Sequence, residues 1–163
     1  MKISDNFLPI EDFGNIKKVL FDPSFPWHFN QMITIEEPEY TGEYYMTHVL
    51  YNQRQNYQSD YYSLIYPLLN KIQPKAMIRA KVNMYLNLGR GLKEHAPHTD
   101  YSFSHTGAVF SINTCDGYTR IGEDKIDSIE NRLVTFDAGK PHNSTSTSNS
   151  KVRVNINLNY FEW

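Results

Sequence analysis

Two stretches of this chain alternate between apolar and polar residues over nine or ten positions, a period that no helix accommodates. "RAKVNMYLNLG" sets Ala80, Val82, Met84, Leu86 and Leu88 against Arg79, Lys81, Asn83, Tyr85 and Asn87. Near the C-terminus, "KVRVNINLNYF" sets Val152, Val154, Ile156, Leu158 and Tyr160 against Arg153, Asn155, Asn157 and Asn159. Successive side chains of a strand point to opposite faces, so each stretch is a strand with one apolar and one amide-rich face. "AVFSIN" and "RLVTFD" read as shorter strands, and Asp116-Gly117 in "CDGY" is a two-residue hairpin signal leading into "YTRIG". "NSTSTSNS" at 143–150 is a polar loop, too short for a linker.

The N-terminal half has a different period. In "LPIEDFGNIKKVL", Ile10, Phe13, Ile16 and Leu20 recur at helical spacing, with Pro9 tolerated in a first turn. The prolines of "DPSFPW" stop that helix. A second helix is expected over "SDYYSLIYPLLNKIQP", where Leu64, Ile65, Leu68, Leu69 and Ile72 form a stripe. Ser59 is its expected cap, Pro74 its end and Pro67 a kink or break. The tyrosine-rich segment between the helices reads as a short strand or a flap; residues 40–58 are expected to pack, with an active-site lid as the alternative.

Short strands with tight turns after a helical opening indicate a mainly β fold with N-terminal helices, a sandwich or jelly roll backed by helices. At 163 residues the chain is expected to form a single domain over 1–163, with 1–76 as helical support and 77–163 as the jelly-roll core. A net charge of -2 gives no global reason to expect nucleic acid or membrane as a partner. The single Cys115 allows no intrachain disulfide, and neither a signal peptide nor a membrane-spanning apolar run is visible. The expectation is a soluble, cytoplasmic protein.

Chemistry enters through "EHAPHTDYS" and "KPHNS". His98-x-Asp100 with a distant His142 offers two imidazoles and one carboxylate. On one side of a metal such a set leaves three positions open, the arrangement used by non-haem Fe(II) oxygenases. Arg153 follows His142 by eleven positions on the last strand, and a planar guanidinium suits a carboxylate best. If the strands at 79–88 and 152–160 pair, Asn83, Tyr85, Arg153 and Asn155 share one lining; a solvent-facing sheet surface is the alternative.

In these motifs and their order, "HTD", "SINTCDGYT", "ENRLVTFDAGKPHNS" and "VRVNINLNYF", the chain resembles the 2-oxoglutarate/Fe(II)-dependent dioxygenases, in particular the prolyl 4-hydroxylase-like branch. The resemblance covers nearly the whole chain, including "SDNFLPIEDFGNI" and "FPWHFN". It implies a double-stranded β-helix of cupin-like type. It also implies that His98, Asp100 and His142 bind Fe(II), and that Arg153 binds the C5 carboxylate of 2-oxoglutarate. Tyr85 stands where related hydroxylases place a tyrosine reaching the cosubstrate, and Asn155 stands two residues after Arg153. The implied reaction takes O2 and 2-oxoglutarate, with ascorbate as a candidate further cofactor. It releases succinate and CO2 and hydroxylates an unactivated C–H of a prolyl residue, an amino acid or another small substrate. Asp100 supplies an oxygen ligand where a halide would otherwise bind, which favours hydroxylation over halogenation.

The chain also departs from family patterns. Collagen-type prolyl hydroxylases usually carry Lys where Arg153 stands, and Ser111 replaces a second tyrosine of the oxygen-sensing type. Asn155 breaks the R-x-S motif of several other members. Substrate identity therefore does not transfer, and neither host nor oligomeric state can be read, although small oxygenases of this kind resemble ones found in phage genomes. Two rivals stand beside the oxygenase: a catalytically silent jelly-roll module that binds metal and 2-oxoglutarate, and a zinc hydrolase, which gives Arg153 no work. His95 and His105 are expected to be solvated, His48 structural, Cys115 without a cationic partner and Asp116 a turn former.

Overall fold

The computed structural model describes residues 1–33 and 42–163. In chain order the elements are β1 (Lys2–Ser4), α1 (Ile10–Leu20), β2 (His28–Asn30), β3 (Tyr45–Asn52), β4 (Tyr57–Gln58), α2 (Tyr66–Ile72), β5 (Ala76–Leu86), β6 (Thr106–Ser111), β7 (Tyr118–Ile121), β8 (Asp124–Asp127), β9 (Leu133–Asp137), β10 (His142–Ser144) and β11 (Val152–Phe161). The major sheet runs β1-β9-β6-β11-β5-β3-β2, with β4 on β3; the minor sheet runs β10-β7-β8. The loop after β5 adds to the minor sheet through single bridges, Glu94 to Thr145 and His98 to His142. This is the expected jelly roll, a double-stranded β-helix. Among the described residues, no helix is long and apolar enough to cross a membrane.

The two alternating stretches are neighbours at the centre of the major sheet. Arg153 pairs with Tyr85, Asn155 with Asn83, Asn157 with Lys81 and Asn159 with Arg79. Their apolar faces carry Ala80, Val82, Val154, Ile156 and Leu158 into the main core, where Phe13, Ile16 and Leu20 of α1 and Leu68 of α2 cover them. Each such buried side chain contributes about 1.5–3 kcal/mol, which fixes the register: a slip by one residue would put asparagines under the helices. The amide-rich faces therefore point into the space between the sheets. Val109, Val134, Phe136 and Ala138 meet Ile126 in a smaller apolar cluster. Within it, β6 and β9 supply the inward residues and β8 faces them.

Several local expectations need correction. Ile10 is 81% exposed, so α1 docks through Phe13, Ile16 and Leu20 only. Pro9 lies at the boundary of that helix, outside its first turn. Pro67 breaks the second helix as expected: a 3-10 turn over Tyr62–Ile65 precedes α2. Ser59 accepts from the Tyr61 N–H ahead of that turn, so it does not cap α2. Of the 40–58 segment, residues 40 and 41 lie outside the described residues; most of the rest is β3 and β4, strand and not flap. Together with β1 and β2, this places strands as well as the two helices among the described residues before β5.

Asp116-Gly117 makes no hairpin, because it carries the chain from one sheet to the other. Asp116 instead binds the 147–149 loop, accepting from Thr147 Oγ1 and the Ser148 N–H. Gly117 is needed for closeness: a Cβ there would stand 2.6 Å from Arg153 Cδ. The real hairpin joins β7 to β8 through Gly122-Glu123, with Gly122 at φ 62° supplying the positive angle such a turn demands.

Candidate metal centre

The loop at 87–105 reaches over β10, and Pro97 keeps the residue before it extended. The backbones of His98 and His142 exchange two hydrogen bonds of 2.9 Å, which brings their imidazoles to 4.7 Å between centroids. Asp100 is anchored by its N–H on the Ala138 carbonyl at 3.2 Å. The ligand atoms of His98, Asp100 and His142 all lie within 4.8 Å of one another, and Asp100 Oδ2 is 3.7 Å from His142 Nε2. Residues 44 positions apart in sequence thus converge on one point.

The surroundings set each donor for a cation. His142 Nδ1 lies 3.0 Å from the Lys140 carbonyl, which can only accept, so Nδ1 carries a proton and Nε2 is the nitrogen that faces Asp100. Asp100 is held at both oxygens, Oδ1 by Arg79 at 2.7 Å and Oδ2 by Asn159 Nδ2 at 2.7 Å. Burial pushes its pKa up, but the Arg79 charge, the two imidazoles and the Asn159 amide outweigh burial and hold it at about 2. The carboxylate is therefore ionised at neutral pH. Two imidazoles and one carboxylate on one side are a donor set for a first-row divalent metal with positions left over.

Arg153 is the second element. It is 1% exposed, donating from one terminal nitrogen to the Thr145 carbonyl at 3.1 Å and from the other to Thr119 Oγ1 at 2.8 Å. Its guanidinium lies 5.5 Å from the centre of the Tyr85 ring. Tyr85 is itself stacked between Tyr45 at 5.5 Å and His95 at 5.4 Å. Among the described residues no carboxylate pairs with Arg153, and its Nε has no partner. A buried guanidinium without an anion is costly, and burial accordingly drives its pKa down. Such a group fits a carboxylate ligand. Asn155, two residues on, accepts from Asn83 at 3.0 Å.

Among the described residues, the buried side-chain atoms lacking a partner are Arg79 Nε, Asn83 Oδ1, His95 Nε2, Arg153 Nε, Asn157 Oδ1 and Asn159 Oδ1. Five belong to the inner faces of β5 and β11, and the sixth is on the imidazole stacked against Tyr85. Polar atoms that find no partner within the protein line the space where a polar ligand would lie.

Of the residues expected at the site, His98, Asp100 and His142 form one cluster, Arg153 lies against Tyr85, and Asn155 is bonded to Asn83; several further residues join them. His95 is not solvated: it is 3% exposed, with Nδ1 2.9 Å from Ser144 Oγ, and burial holds its pKa at about 3. His105 is buried too, with Nδ1 on the Phe103 carbonyl and Nε2 3.2 Å from Asn159 Nδ2, behind Asp100. Cys115 is buried, with its N–H on the Ser128 carbonyl at 3.0 Å. His48 is structural, with Nδ1 on the Pro26 carbonyl and Nε2 on Ser59 Oγ. Sequence reasoning missed Arg79 and Asn159, although both sit on the polar phase of the alternating strands. It also missed Glu94, which binds Arg120 at 2.5 Å, Asn143 Nδ2 at 2.6 Å and the Tyr118 hydroxyl, tying the loop of His98 and Asp100 to β7 and β10.

No protein-family model and no curated protein matches the sequence. Solved structures do match its fold. A prolyl hydroxylase from Trichoplax adhaerens, in complex with a hypoxia inducible factor oxygen degradation domain peptide fragment, superposes with a TM-score of 0.63 at 17% identity. That match covers 99% of this chain and 83% of the other. A Pseudomonas putida prolyl-4-hydroxylase gives 0.61 at 13% identity, over 99% of this chain and 92% of the other. An oxidoreductase of the 2OG-Fe(II) oxygenase family from Burkholderia pseudomallei gives 0.63 at 9% identity, over 97% and 81%. The chain has the fold of the 2-oxoglutarate/Fe(II) oxygenases, prolyl hydroxylases among them.

Proposed function

We propose that the protein is a 2-oxoglutarate- and Fe(II)-dependent oxygenase that hydroxylates an unactivated C–H. The observation that carries this reading is the pairing, inside one barrel, of a His-Asp-His cluster with a fully buried guanidinium that no carboxylate of the described residues neutralises. A metal-only function, such as zinc hydrolysis, leaves that guanidinium without a purpose.

His98, Asp100 and His142 would hold the iron. Arg153, with the Thr119 hydroxyl beside it, would hold the remote carboxylate of 2-oxoglutarate, which a guanidinium receives through parallel N–H donors. Tyr85 supports Arg153 from below, and Asn155 continues the polar lining toward the metal. Bound iron and 2-oxoglutarate supply the oxidising chemistry, consuming O2 and releasing succinate and CO2. Asp100, kept ionised by Arg79 and Asn159, gives the site a fixed negative charge. The buried walls keep water from the reacting centre.

The substrate is a prolyl residue in a peptide, an amino acid or another small molecule. The fold shared with a peptide-bound prolyl hydroxylase favours testing prolyl peptides first. The test is incubation with Fe(II), 2-oxoglutarate, ascorbate and air against proline-containing peptides and free amino acids. Succinate formation coupled to a mass gain of one oxygen in the substrate supports the proposal. Metal and 2-oxoglutarate binding with no succinate from any substrate would favour a silent binding module instead.

A further inference from the structure

We propose a second carboxylate-binding site on the floor of the barrel, formed by Lys81 with the Tyr45 hydroxyl beside it. Lys81 lies on the inward face of β5, between Arg79, which holds the metal-ligand carboxylate, and Tyr85, which supports Arg153. At ~3.3 Å per residue the Lys81 backbone is ~7 Å from Arg79 and ~13 Å from Tyr85, between the two ends of the candidate site. Its Nζ donates to the Tyr45 hydroxyl at 3.3 Å and lies 5.5 Å from the Tyr45 ring centre. Across the sheet it faces Val49 on β3 and Asn157 on β11, whose Oδ1 lacks a partner.

An ammonium carries three donors, and here a phenol oxygen at long range is its one hydrogen-bond acceptor among the described residues. Asp100 is close enough for its charge to be felt, but both its oxygens are already bonded to Arg79 and Asn159. The inner faces of β5 and β11 thus present Arg79, Lys81 and Arg153. Among the described residues in contact with them, Asp100 alone is anionic. Burial and the Arg79 charge lower the Lys81 pKa to about 8, which still leaves it mostly protonated at neutral pH. A carboxylate would supply the missing acceptors and the missing charge together.

This inference rests on the oxygenase reading for the source of that carboxylate: the keto-acid end of the cosubstrate, or an acidic group on the molecule to be oxidised. The test uses the full chain loaded with Zn(II), which binds without turnover. Affinities for 2-oxoglutarate and 2-oxobutyrate are measured by calorimetry. Acetate binding to the 2-oxoglutarate-loaded protein is followed by saturation-transfer NMR. Lys81→Met keeps the stem and removes the charge, Lys81→Gln is the alternative should that variant fail to fold, and Lys81→Arg restores the charge.

If Lys81 receives the keto-acid end, Lys81→Met weakens both keto acids by the same factor, about tenfold or more, and Lys81→Arg recovers most of it. If it receives a substrate carboxylate, keto-acid affinity stays within twofold and the acetate signal disappears in Lys81→Met and returns in Lys81→Arg. Unchanged keto-acid affinity together with an unchanged acetate signal overturns the proposal. If the wild-type protein binds neither keto acid, the oxygenase reading fails separately; acetate binding to the Zn(II)-loaded protein, sensitive or not to Lys81→Met, then decides the site by itself.

Discussion

Arg153 on β11 and Tyr85 on β5 are direct partners across one rung of the major sheet, with the guanidinium 5.5 Å from the ring centre. The strand pairing therefore fixes where the buried cation stands, and Thr119 and Thr145 fix its orientation. Arg153→Met removes a charge-assisted pair but no metal ligand. It is expected to weaken 2-oxoglutarate about a hundredfold, roughly 3 kcal/mol, while metal affinity changes little. Equilibrium dialysis of metal and of cosubstrate, measured separately, checks both halves.

Gly117 passes so close to the Arg153 stem that any side chain there must displace it. Gly117→Ala is expected to lower 2-oxoglutarate affinity by about tenfold, for a small change in side-chain position alone. The same dialysis applies, with the binding loss set against the shift in melting temperature.

The Arg79–Asp100 pair is largely buried, at 20% and 6% side-chain exposure. Removing Arg79 leaves a carboxylate in the interior with the Asn159 amide as its side-chain hydrogen-bond donor and the imidazoles nearby, a change worth roughly 3 kcal/mol. Metal-free Arg79→Met is therefore expected to be strongly destabilised. A bound divalent ion, replacing the lost positive charge, should recover much of the difference. Denaturant unfolding of both proteins, with chelator and with Zn(II), measures this directly.

His95 gives the fold a dependence on acid. Its folded-state pKa is depressed to about 3 from 6.5. Between those values the unfolded chain binds a proton that the folded chain refuses, so stability falls as pH drops from 6.5 toward 3. By pH 4 this group alone removes about 3 kcal/mol. His95→Gln is expected to be less stable at pH 7, through loss of its stack on Tyr85, yet to lose less stability on acidification. Urea midpoints at pH 7 and pH 4 provide the comparison.

The central strands and the His-Asp-His cluster were legible in the sequence for a physical reason. A two-residue period with one wholly apolar face allows one orientation, and His98, Asp100, His142 and Arg153 have an order and spacing that unrelated chemistry seldom reproduces. The roles of Arg79, Lys81 and Asn159 were not legible, because an inward polar face and a solvent face have the same composition. His95 and His105 were misread because the burial of a loop histidine depends on partners far along the chain, here Ser144 and Asn159. Asp116-Gly117 misled because the same dipeptide serves a hairpin or a crossing between sheets. The strands β1 and β2 are three residues each, too short for any period to register.

The central claim is that His98, Asp100 and His142 bind Fe(II) together and leave room on it for 2-oxoglutarate. Anaerobic titration of the metal-free protein with Fe(II) and then 2-oxoglutarate tests this, through the weak visible charge-transfer band of the chelated keto acid. The band is expected in the wild-type protein and in Arg153→Met at higher 2-oxoglutarate, and its absence is expected in Asp100→Ala. A wild-type protein that gives no band, or an Asp100→Ala variant that gives the wild-type band, would contradict the account.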